Sequence, residues 1–133
     1  MATGINSVRS FQDLDAWKLG RVLAKEIYEE TSRGDFSKDF GLKNQIQRAA
    51  VSIVSNIAEG FERNGDTQFI QYLYMAKGSV GELRTQLCIA KDLNYLTEES
   101  FQKLWEMATR VGEIISGLIR YLKKSELKGS KFN

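Results

Sequence analysis

Between Leu42 and Arg63 the apolar residues fall at Leu42, Ile46, Ala49, Ala50, Ile53, Ile57 and Phe61. Steps of three and four place them on one face of a helix. Ser52, Ser55, Ala58 and Gly60 lie between them and are all small. A first helix is predicted over Phe11–Thr31, with its stripe at Leu14, Trp17, Leu23, Ala24, Ile27 and Tyr28. Ser10 is its expected cap, with Asp13 three positions on. A third helix is predicted over Thr67–Asn94, with apolar positions from Phe69 and Ile70 through Leu73, Ala76, Val80, Leu83 and Leu87 to Ala90. The turn Asn64-Gly65-Asp66 precedes it, with Asp66 as the expected cap. After a short connection at Leu93–Leu96, Thr97 opens a fourth helix, with Glu98 and Glu99 in its first turn. Leu104, Ala108, Val111, Ile115, Leu118 and Leu122 then alternate steps of four and three, a coiled-coil-like seam. Ile114, Ile119 and Tyr121 widen that seam and are expected to face another subunit. The segment GDFSKDFG reads as a loop, and its Phe36 and Phe40 are expected to tuck against the helices or a neighbouring subunit.

Four long helices with short connections predict an all-α, antiparallel up-down-up-down four-helix bundle. The expected organisation is an N-terminal extension at 1–10, the bundle at 11–122 and a basic C-terminal tail at 123–133. Ala49, Ser52, Ser55, Gly60, Gly78 and Gly81 mark close helix packing. A glycine inside a helix costs on the order of 1 kcal/mol against alanine, so Gly78 and Gly81 require an offsetting contact. The expectation is that their patch faces the small-residue stripe of the second helix.

Composition changes this picture mainly by exclusion. The chain has 133 residues, no histidine, no proline and one cysteine. The first absence removes His-based triads, bases and metal ligands. The second removes the strongest helix breaker. A lone Cys88 and a polar opening segment lead to the expectation of a cytoplasmic protein without a membrane span. Net charge is only +2. The end of the chain nevertheless gathers Arg120, Lys123, Lys124, Lys128 and Lys131 against Glu126 alone. These are the candidate nucleic-acid contacts, because a basic segment neutralises phosphates.

Four ordered motifs then carry a resemblance. The longest runs from Leu42-x-x-Gln45-x-x-Arg48 through Ala49-Ala50-Val51-Ser52-Ile53-Val54-Ser55-Asn56 to Ile57-Ala58-Glu59-Gly60. The others are Phe11-x-x-Leu14-x-x-Trp17, Phe69-x-x-x-Leu73-x-x-Ala76-x-Gly78-Ser79-x-x-Glu82-Leu83, and Leu93-x-Tyr95-Leu96. Together they resemble the 23S rRNA intervening-sequence proteins. That resemblance implies four-helix bundles assembled into homopentameric rings, with a fold shared by the nucleic-acid-binding accessory proteins of diversity-generating retroelements. The first loop departs from the family in lacking a proline after Phe36, and the modest charge departs from the retroelement relatives.

No constellation points to catalysis or to a cofactor. Glu59 and Glu82 sit on helices expected to be adjacent, but two carboxylates without histidine make a poor metal site. Ser52, Ser55 and Ser79 have no partnering base, and no phosphate-binding glycine loop is present. Gln45, Arg48, Asn56, Glu59, Arg63 and Glu82 instead read as structural or subunit-interface polar residues. Arg48 and Arg63 are expected to pair with acids such as Glu59 or Glu82, within or between subunits. The leading reading is a non-enzymatic, homo-oligomeric interaction protein. The alternative is an RNA- or DNA-binding accessory protein acting through basic surfaces of the ring. A second copy is the expected partner, with RNA, DNA or another protein as further candidates.

Overall fold

The computed structural model describes the backbone of residues 7–132 and the side chains of residues 7–125. It contains four α-helices: α1 Asp15–Thr31, α2 Phe40–Glu62, α3 Asp66–Asp92 and α4 Glu98–Phe132. Among the described residues there is no strand. α2 packs on α1 and α3, and α4 packs on α1 and α3, so the four helices enclose one core. Leu23, Ile27, Ile46, Ile53, Ile57, Leu73, Leu83, Leu87, Leu104 and Ile115 are fully enclosed in it. No described helix is long and apolar enough to cross a membrane.

The start of the first predicted helix is divided. Phe11–Asp13 forms a 3-10 turn, Leu14 is extended at φ −73° and ψ 130°, and α1 begins only at Asp15. Ser10 caps that turn rather than an α-helix, with Asp13 accepting the backbone N–H groups of Arg9 and Ser10. Those two bonds hold the Asp13 carboxyl below its ordinary value. The break lets Leu14 reach the core and sets Phe11 edge-on to Trp17 at 5.3 Å.

The segment read as a loop is largely ordered into a second 3-10 turn, Gly34–Lys38, and α2 starts two residues earlier than Leu42. Phe36 is 1% exposed and stacks on Tyr95 at 5.1 Å. Phe40 does not tuck in. It is 69% exposed in the first turn of α2, on the opposite side from the core, so the expectation of an in-chain contact fails for it. Asp39 connects this region to the α3–α4 turn. Its Oδ1 accepts the Leu42 N–H at 3.1 Å and caps α2, while its Oδ2 accepts the Tyr95 hydroxyl at 2.9 Å.

At the α2–α3 turn Gly65, with φ 95°, precedes α3, and Asp66 is its first residue rather than its cap. The α3–α4 turn uses Asn94 in the left-handed region, φ 62°, a conformation asparagine tolerates at helix ends. Thr97 then accepts the Ser100 N–H at the start of α4. Ile119, expected to face another subunit, is 4% exposed and belongs to the core, whereas Tyr121 is exposed. α4 continues through residues 123–132, within the segment expected as a basic tail.

Candidate interaction surfaces

The polar residues of the long α2 motif separate into three places. Asn56 and Ser52 join α2 to α3. The Asn56 side-chain amide donates to the Ser52 carbonyl at 2.9 Å and to Ser52 Oγ at 3.0 Å, and Ser52 Oγ lies 2.9 Å from Ser79 Oγ. Glu59 and Arg63 form a surface pair at 2.9 Å, each about half exposed. Arg63 also donates to the Tyr72 hydroxyl at 2.9 Å and lies over that ring. Such an exposed pair is worth little in stability, at most about 1 kcal/mol.

The third place is a groove of about 380 Å³ between α2 and α3, lined by Gln45, Arg48, Ala49, Ser52, Glu82 and Gln86. Arg48 forms no ion pair among the described residues, so of the two expected pairings only that of Arg63 with Glu59 is made within the chain. Glu59 and Glu82 are not brought together, since one belongs to the Arg63–Tyr72 cluster and the other to this groove. The Gln86 side-chain oxygen is enclosed and has no hydrogen-bond partner among the described residues. No group of three or more metal-ligating side chains occurs among the described residues.

The close-packing residues also divide. Gly60 is a true point of approach: a Cβ there would lie 2.6 Å from Tyr72 Cβ and 3.0 Å from the Phe69 ring. Gly20 plays the same part between α1 and α2, where a Cβ would lie 2.8 Å from Val54. Gly78 and Gly81 do not face α2. A Cβ at either meets nothing within 4 Å, so that expectation is corrected. Helical phase explains it, because Ala76, Ser79 and Val80 take the inward positions and leave the glycines on the opposite side. Ser55 is likewise exposed. As a result, the exposed positions of α3 between Gln71 and Ile89 carry only two charges, Lys77 and Glu82. Tyr74, Met75 and Ile89 are 45%, 55% and 43% exposed along the same stretch.

Of the basic candidates, Lys123 donates to the Tyr74 hydroxyl at 2.7 Å, and Lys124 is exposed. The side chains of Lys128 and Lys131 lie outside the described residues. Arg120 lines a second groove, of about 420 Å³, between α3 and α4. Lys77, Arg84 and Thr109 share that groove and were not among the basic candidates. Their sequence signal is the seven-residue spacing of Lys77 and Arg84, which puts both on one side of a helix.

Four long helices around one core, with polar grooves on either side of α3, define an all-α bundle. The family model described as 23S rRNA-intervening sequence protein matches residues 12–117, and the chain belongs to that family. The fold is similar to a crystal structure from Bacteroides thetaiotaomicron described as a protein with unknown function from the S23 ribosomal protein family. The TM-score is 0.74 at 22% identity, covering 79% of this chain and 95% of the other. No curated protein matches the chain.

Proposed function

We propose that this protein is a non-enzymatic, homo-oligomeric interaction protein, an antiparallel bundle that assembles with copies of itself in the cytoplasm. The carrying observation is the outward face of α3. A solvated helix face is normally charged. This one offers Met75, Gly78, Gly81, Thr85 and Ile89 with Glu82 as its central charge. Bare glycines permit a neighbouring backbone to approach closely. Arg48 without an ion pair and the unpartnered Gln86 oxygen on the adjoining groove suit polar contacts from a second copy. The pairings Gly60 with Tyr72 and Ser52 with Ser79 support antiparallel α2 and α3, because the numbers run in opposite directions. Lys123 with Tyr74 and Arg84 with Trp105 support the same for α3 and α4. Five as the number of copies rests on the family resemblance.

Native mass spectrometry of protein purified without nuclease tests this. The expected species is five times the 15.1 kDa chain. The double variant Met75→Glu/Ile89→Glu is expected to shift it to smaller species while keeping full helical circular dichroism. A monomer for the natural sequence at tens of micromolar overturns the reading.

A further inference from the structure

The groove between α3 and α4 has a chemistry that self-association does not require. Lys77 and Arg84 enter it from α3, and Arg120 enters from α4. None of the three forms an ion pair among the described residues. The groove's one carboxylate, Glu113, is drawn to Arg110 at 3.6 Å, which lies outside the lining. Three cations therefore share one concave place with a single carboxylate, an excess of positive charge. Gly112 on α4, and Gly81 at the border with the outward face of α3, add no side chain between them.

Arg84 is also held in position. Its guanidinium carbon sits 4.2 Å from the Trp105 ring centroid, a cation–π contact that anchors the side chain over the ring. Its Nε–H is a donor without an acceptor among the described residues, and so is the hydroxyl of Thr109 beside it. A planar, anchored arginine with unused donors, flanked by a hydroxyl and two more cations, matches the acceptor geometry of phosphate oxygens.

We propose that the α3/α4 groove binds phosphate groups, with Arg84 as the anchored fork and Lys77 and Arg120 as flanking charges. The phosphate can be carried by a free polyphosphate or by a nucleic-acid backbone, since both present the same oxygens.

Fluorescence anisotropy with a labelled 20-nucleotide single-stranded RNA, and calorimetry with inorganic pyrophosphate, test the groove at low and near-physiological salt. Lys77→Glu/Arg120→Glu is expected to weaken binding by about tenfold or more, and the affinity of the natural sequence to fall steeply with salt. The control Lys18→Glu/Lys25→Glu makes the same net-charge change on α1 and is expected to lose far less. Arg84→Lys keeps the charge but not the fork, and is expected to weaken binding as well. RNA binding that pyrophosphate displaces identifies a backbone ligand; pyrophosphate binding without RNA binding identifies a free one. The proposal is overturned if neither probe binds at low salt, or if the groove variant loses no more than the control. Native mass spectra of the same samples are expected to be unchanged, so a failure of this site reads separately from a failure of self-assembly.

Discussion

Gly60 stands where α2 and α3 come closest, with Tyr72 and Phe69 against its missing side chain. Gly60→Ala forces a methyl into that contact and is expected to destabilise the fold by about 1–3 kcal/mol in urea unfolding. Tyr95 shows a second residue-level effect. Its hydroxyl donates to the Asp39 carboxylate, and that bond, with burial and the charges of Asp39 and Asp35, raises its pKa above the ordinary 10.0. A raised folded value means that its stabilising contribution is complete below pH 10 and is lost as pH climbs through the folded value. In an absorbance titration at 295 nm, one of the five tyrosines is expected to ionise late, and Tyr95→Phe is expected to remove that phase.

Among the elements, the long apolar stripes were legible because a 3.6-residue period is a property of adjacent residues. Ile46, Ile53, Leu83 and Leu104 fall inside as their spacing requires. The ends were less legible because tertiary contacts decide them. Leu14 leaves helical geometry to enter the core, and Phe36 finds Tyr95, a partner from the far turn. Phe40 looks like Phe36 in sequence but starts a helix on its outer side. The same limit applied to the glycines. Their presence at 78 and 81 was plain, but the side they face depends on which neighbours take the inward positions. The α3/α4 groove was hidden for a related reason, since Arg120 meets Lys77 and Arg84 only once the two helices pack. Asp39 serves both the start of α2 and the α3–α4 turn. Asp39→Ala is therefore expected to cost more than an isolated cap, whose loss is typically about 1 kcal/mol, as read from denaturant midpoints.

For the whole molecule, the outward face of α3 and the α3/α4 groove differ in character. The first carries few charges and is the face proposed for assembly, while the second gathers Lys77, Arg84 and Arg120. Glu59→Ala is expected to leave the stability of the chain within about 1 kcal/mol of the natural sequence, because its pair with Arg63 is exposed. Any larger change seen on dilution would then report contacts between copies.

Gly78 and Gly81 carry a consequence for selection. In the isolated chain both are a disadvantage, because alanine would fit the open space and gain about 1 kcal/mol of helix propensity. A variant library at these two positions, sorted only for thermal stability under conditions that keep the chain monomeric, is expected to fill with alanine. The same library sorted for assembly is expected to return glycine. The disagreement between the two sorts measures what a neighbour demands of that face.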